Sequence, residues 1–272
     1  MRHAKLFVRK LLTLSHSRNL LLEFTKRDFL QRYKGSSLGI VWAIISPLLM
    51  LAVYSFIFVA VFKLKWGNDV ESGDMLYTLM IFSALIPFNI FAESINRAVA
   101  VLPQSANYIK KVVMPIEILP ISIVLSTAMN NMFSVGLLAI GKVLLLDTPN
   151  WTLIFAPIVF IPVILFSAGI ALVVSALGVY LRDLTYITGI AVNVLFYLSP
   201  VFYSIEIIPK QFQFLLSINP IAPIIDFSRD IFIRGQMFDL SEFGLALLGA
   251  SFVFVLGLGL FYFLKKGFAD VI

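Results

Sequence analysis

The chain of 272 residues is 60% hydrophobic and only 13% charged, with a mean hydropathy of +0.97. A soluble domain is nearer half apolar and ~25% charged; the apolar residues here come in blocks of ~20 rather than in alternation, which excludes a soluble domain or a β-barrel and predicts an all-α polytopic membrane protein. The net charge of +6 falls on segments flanking the blocks, as topology signals do and nucleic-acid patches do not, and a chain without cysteine has no disulfide, iron–sulfur or Cys-zinc chemistry.

Residues 1–34 carry nine Lys/Arg against Glu23 and Asp28. In the second half of this stretch Glu23, Arg27, Gln31 and Lys34 fall at helical spacing, and Leu22, Phe29 and Tyr33 take another face. That pattern predicts an amphipathic helix on the inner membrane surface, within a basic segment 1–36; a solvated, disordered basic tail is the alternative. A cleavable signal is not expected, because basic residues continue to Lys34 and no small-residue cleavage site follows a short apolar core. Gly35, Ser36, Ser37 and Gly39 form a break, and no formal charge occurs from Gly35 to Phe62. At ~1.5 Å per residue this run crosses a ~30 Å hydrocarbon core.

Six spans are predicted, at 37–62, 75–99, 117–146, 151–179, 186–203 and 243–264, with a tail 265–272. Pro157 and Pro162 are expected to bend the fourth. An even number puts both termini on one side. Segments on that side hold fifteen Lys/Arg and the other side six, so both termini are expected in the cytoplasm. Trp66 and Trp151 then fall at the outer interface, Trp42 and Tyr180 near the inner one.

Two connectors are unusual. Residues 97–116 form a cytoplasmic loop with Pro103 and Pro115, weakly amphipathic, suited to present a short helix to a partner. Residues 204–240 are too charged to span and too apolar for a free loop. They read as two short helices broken at Asn219-Pro220, re-entering or lying at the outer face. Irregular backbone at that depth is tolerated only inside protein or along a cavity, which points to a pathway.

The run Gly136-Leu-Leu-Ala-Ile-Gly141-Lys142-Val143 imitates a phosphate-binding loop, but Val143 replaces the magnesium-binding hydroxyl and the run lies within an apolar span. The chain is therefore expected to hold no nucleotide, and no metal site is expected either. Its two histidines, His3 and His16, are both in the basic segment, and no catalytic cluster is apparent. Glu93 and Arg97 stand four apart and are placed to pair on one helix face.

Four blocks, in order, resemble one family. They are QRYKGSSLGIVWAIISPLLML; AESINRAVAVLPQSANYIKKVVMPIEILPISIVLSTAMNN; YLRDLTYI; and LSPVFYSIEIIPKQFQFLLSINPIAPIIDFSRD. The chain is similar, over nearly its whole length, to the ABC type-2 permeases that export O-antigen, capsule and teichoic acid polymers. The resemblance implies a homodimeric channel in a bacterial inner membrane, with two copies of a separate ABC ATPase docked beneath. ATP and magnesium would be used in that ATPase, and the chain itself would carry no cofactor. It further implies ATPase contacts through the N-terminal helix (Arg27, Arg32, Lys34), the 97–116 loop (Asn107, Tyr108, Lys110, Lys111) and the Arg182–Asp183 turn. Lys110 and Lys111 either enforce topology or bind lipid phosphate or the ATPase; Arg182 and Asp183 are either a helix-end pair or part of the transmission surface. The 204–240 segment would form periplasmic gate helices, with Pro209, Asn219, Pro220, Arg229 and Asp230 as its landmarks.

Sugar faces stack on aromatic rings, and a sliding polymer is served by many weak contacts. Trp42, Tyr54, Phe58, Phe62, Phe196, Tyr197, Phe202 and Tyr203 are the candidate lining, against the alternative that they face lipid or core. The partners expected are therefore the ATPase, a second copy, a lipid-linked polysaccharide and membrane lipid, with no nucleic acid. An ABC permease for a drug or small lipid is the first rival; a membrane-embedded lipid or sugar transferase and a passive channel are the others.

Overall fold

The computed structural model describes residues 18–63, 73–105, 114–146, 150–204 and 208–268. All regular structure among them is helical. Helix α1 (Arg18–Gln31) precedes the bundle. It is followed by α2 (Trp42–Ser55, prolonged by a π-helix Phe56–Val61), α3 (Gly73–Gln104), α4 (Ile118–Leu146), α5 (Ile161–Tyr180) and α6 (Leu184–Leu198). Then come α7 (Gln213–Ile218), α8 (Ala222–Arg229, prolonged by a π-helix Asp230–Arg234) and α9 (Leu240–Leu264). Among the described residues five helical stretches are long and apolar enough to cross a membrane: Gly39–Val61, Met75–Gln104, Ile118–Leu145, Trp151–Tyr180 and Leu240–Gly267.

The sixth apolar helix differs from the predicted span at 186–203. Helix α6 has 15 residues, ~22 Å at 1.5 Å per residue, short of a ~30 Å core. Pro200 ends it: the residue before a proline is driven out of the helical region, and Ser199 is extended at φ −88°, ψ 145°. The fourth span is broken near its prolines, with a helical turn Ala156–Val159 and a fresh start at Ile161.

The core forms around α3, which packs on α4, α5, α6 and α8, while α5 also packs on α9. Pro87 lies inside α3 and has no N–H to give the Ser83 carbonyl one turn back. The Ser228 hydroxyl supplies the missing donor at 2.8 Å, which ties α8 to the middle of the bundle.

Helix α1 lies along α4. Gly35 (φ 90°) and Gly39 (φ 53°) turn the chain from it into the first span, a reversal that L side chains resist. Its packing face carries Leu21, Thr25, Asp28 and Phe29, and Phe29 is 4% exposed. Leu22, expected on the apolar face with Phe29, is exposed instead. At 100° per residue, 22 and 29 do share a side, but the helix rolls to bring Asp28 and Arg32 inward.

Candidate functional site

At the α1 end of the bundle a charged network joins three elements. Asp28 accepts two hydrogen bonds from Arg97 Nη2 on α3, at 2.7 and 2.8 Å, and a third from the Ser126 hydroxyl on α4. Arg32 donates to Glu93 on α3 and, at 2.7 Å, to the Thr127 hydroxyl on α4. The expected Glu93–Arg97 pair exists but is the loosest contact, at 3.9 Å. Both residues reach instead to α1. Two cations and two anions cancel, and burial lowers the Arg32 pKa while Glu93 pushes it back up. Guanidinium stays protonated in any case, so the network is ionic.

Truncating one partner of a half-buried pair leaves the other uncompensated. Glu93→Ala is expected to destabilise the purified protein by about 1–3 kcal/mol, read as a lower melting midpoint, with export reduced. The exchange Arg32→Glu with Glu93→Arg should recover part of the loss. Equal midpoints for Glu93→Ala and wild type would show that the network holds nothing.

Above this network a cleft of ≈ 510 Å³ opens between α2, α3 and α4. Its walls carry Trp42 and Ser46 from α2, Asn89 from α3, and Asn130, Asn131 and Ser134 from α4, and Arg32 and Glu93 of the network also line it. The Tyr33 hydroxyl donates to Asn130 Oδ1. Amides and hydroxyls are thus gathered inside the apolar part of the bundle.

The candidate aromatic lining divides in two. Tyr54, Phe58, Phe196 and Phe202 are half-buried and spend their faces on one another. Phe58 stacks on Phe202 at 4.4 Å, Phe196 meets Phe202 edge-on at 5.1 Å, and Tyr54 lies 5.4 Å from Phe202. Tyr77, buried in α3, holds this cluster by donating to the Phe202 carbonyl at 2.6 Å. Trp42, Phe62 and Tyr197 keep open faces, Tyr197 being 70% exposed. Tyr203 is half-buried, and its hydroxyl donates to the Tyr197 carbonyl at 3.0 Å.

The opposite end of the bundle is a dense polar knot. Arg229 is buried, and its Nη2 donates to the Pro200 and Val201 carbonyls at 2.6 and 3.0 Å. Asn219, also buried, donates to the Ser199 hydroxyl at 2.8 Å and accepts from the Ile221 N–H. Asp230 accepts from Arg234 and Gln236 at 2.8 Å each. Pro220 and Pro209 are exposed, and the Pro209 carbonyl starts the short helical turn before α7. Two residues missed as site members complete the knot. Lys142 donates to the Ile233 carbonyl at 2.6 Å, and the Thr152 hydroxyl donates to the Ile231 carbonyl at 2.7 Å. The signal for Lys142 was visible: a lone cation inside an apolar span needs a partner.

Of the predicted coupling residues, Arg27, Lys34, Arg182 and Asp183 are exposed, and Arg27 lies 4.4 Å over the Phe24 ring. Asn107, Tyr108, Lys110 and Lys111 lie outside the described residues. Where the chain resumes, Glu117 is buried and accepts from Tyr262 (2.6 Å) and Lys265 (3.0 Å) on and after α9.

A sequence model of the family described as ABC-2 type transporter matches residues 19–233. The chain belongs to the ABC-2 type transporter family. An ABC-2 permease is a multi-pass membrane transporter subunit rather than an enzyme, and the family implies an ABC ATPase partner. Similar proteins include an O-antigen export system permease from Klebsiella pneumoniae, 28% identical over 93% of this chain and 95% of that protein. The O-antigen export system permease of Myxococcus xanthus is 25% identical over 82% and 83%. The polysialic acid transport protein KpsM of Escherichia coli is 23% identical over 78% and 80%. In this ABC-2 permease the matched region runs from α1 to Ile233, so it takes in the charged network, the cleft and the aromatic cluster and stops just short of Arg234 and Gln236 in the polar knot.

Proposed function

We propose that the chain is the permease subunit of an ABC exporter that moves a lipid-linked cell-surface polysaccharide, O-antigen foremost, across a bacterial inner membrane. The observation that carries this is the similarity to O-antigen export permeases over 93% and 82% of the chain. Two copies form the channel, and two copies of a separate ATPase, using ATP and magnesium, drive it. The excess of Lys/Arg on the N-terminal side supports cytoplasmic termini. Pairing of two copies is supported by the first span, none of whose most apolar stretch is buried within one chain. In this reading α1 and the 97–116 loop receive the ATPase stroke, and Trp42, Phe62 and Tyr197 offer sliding faces to the glycan. The 204–240 segment closes the periplasmic side.

Affinity purification of the chain from its native membranes in mild detergent tests the assembly. A stoichiometric ABC ATPase should co-purify, and deletion of the gene should remove surface polysaccharide while lipid-linked polymer accumulates inside. A chain that purifies alone while other ABC complexes stay intact, or a deletion strain with normal surface polymer, would refute the proposal.

A further inference from the structure

The cleft between α2, α3 and α4 sets amides and hydroxyls beside apolar lining residues (Ala43, Pro47, Met50, Phe82 and Leu85), where the bilayer demands apolar surface alone. From Leu79 to Phe91 every residue of α3 is buried except Asn89, which opens into the cleft. Among the described residues its amide has no hydrogen-bond partner, and the same holds for the hydroxyls of Ser46 and Ser134. Asn131 spends its Nδ2 on the Thr127 carbonyl at 2.9 Å, which leaves Oδ1 for another donor. Partnerless amides and hydroxyls facing one cleft among the spans make a wall suited to an occupant that brings hydrogen bonds.

The chemistry of that occupant is readable. The lining offers neutral donors and acceptors, and Trp42 beside them contributes a ring that is 39% exposed. Arg32, the one cation among the described lining residues, is already committed to Glu93 and Thr127. A pyrophosphate would bring uncompensated negative charge next to Glu93. Sugar hydroxyls bring matched donors and acceptors with no charge, and sugar C–H faces suit the indole. The volume of ≈ 510 Å³ lies within the ~300–1,000 Å³ of small-ligand pockets.

We infer that this cleft is a glycan subsite, in which Asn89, Asn131, Ser46 and Ser134 hydrogen-bond neutral sugar rings stacked on Trp42. The assignment rests on the export reading above and adds to it the class of group bound and the residues that bind it.

The chain has no cysteine, so a single introduced thiol is a unique reporter. Met50→Cys, at a lining position outside the four assigned ligands and 56% exposed, is prepared in the permease–ATPase complex in nanodiscs, after checking that it still exports. The probe is a neutral oligosaccharide cut from the host's own surface polymer, free of lipid and phosphate. A small charged methanethiosulfonate reagent should label the thiol. The oligosaccharide should slow that reaction about tenfold at roughly ten times its Kd, by mass action. Inorganic pyrophosphate should not, and exposed Lys210→Cys should be protected by neither. If Met50→Cys fails to assemble, Pro47→Cys, a second lining position without a ligand role, carries the same test.

Three results would overturn the subsite: a thiol shielded in the complex without ligand, which means a second copy covers the cleft; protection by pyrophosphate alone, which means an anion site; and protection by neither. Each leaves the export reading standing so long as gene deletion removes surface polymer. Normal surface polymer in the deletion strain removes the export reading itself.

Discussion

Gly257→Val is expected to prevent recovery of folded permease, while Gly259→Val two residues on is expected to leave it intact. A Cβ on Gly257 would run into the backbone carbonyl of Gly169, and one on Gly169 would lie 2.7 Å from the Val253 carbonyl. Helices α5 and α9 therefore touch backbone to backbone. In a bilayer no hydrophobic force drives such helices together, so the close approach that small residues permit is what holds them. The obstruction is main chain and cannot rotate away, so the helices must separate. Overpacking costs ~1–3 kcal/mol where side chains can yield, and more where they cannot. Around Gly259 there is open space, and valine should be accepted. The check is the monodisperse fraction on size exclusion in detergent, together with the melting midpoint. Equal behaviour of the two variants would mean that the α5–α9 contact is not a determinant of the fold. The same logic applies at Gly178, which packs onto the Val99 carbonyl of α3. That carbonyl has lost its helical donor because Pro103 stands four residues on.

Local patterns in the sequence account for much of this architecture. Uncharged runs mark the spans, the Gly35–Gly39 break marks the turn out of α1, and Asn219-Pro220 separates α7 from α8. What depends on long-range approach was not legible. Glu93 and Arg97 look like a helix-face pair because spacing four is all the sequence offers, yet their closer partners lie 61 and 69 residues away on or just after α1. Lys142 looks like part of a failed nucleotide motif, or a topology signal, until Ile233 is brought to it 91 residues later. The end of α6 was overrun because Val201, Phe202 and Tyr203 are as apolar as the helix before them. Pro200 stops the helix, and the following residues fold back under Tyr54 and Tyr77. The aromatic residues were identifiable by type, but whether a ring meets another ring or stays open is set by tertiary packing. Nothing in the local pattern separates Phe58 from Phe62. Asn89, the most informative polar residue of the cleft, gave one signal, an amide inside an apolar run, and its exposure belongs to the assembled bundle.

Arg229→Met is expected to abolish export while ATPase co-purification persists. Where α6 stops at Ser199 the chain leaves regular structure in the interior, and its carbonyls must find donors off the helix. The Arg229 guanidinium, 1% exposed, gives one nitrogen to both the Pro200 and Val201 carbonyls. Methionine fills similar volume and removes both bonds, which leaves two buried acceptors at ~1–3 kcal/mol each. The strand of chain carrying Phe202 is the other half of the aromatic cluster, so its release should also loosen Tyr54 and Phe58 on the first span. A lysine retains the charge but presents one compact ammonium on a flexible stem, so Arg229→Lys should recover export only in part. The charged network that seats α1 lies at the other end of α3, around Glu93 and Arg97, and shares no residue with this knot. Surface polysaccharide on intact cells and ATPase recovered with the tagged permease are the two readouts. Export at the wild-type level in Arg229→Met would show that the segment after α6 needs no such anchor. Loss of both readouts together would mean instead that the knot and the α1 end fold as one unit.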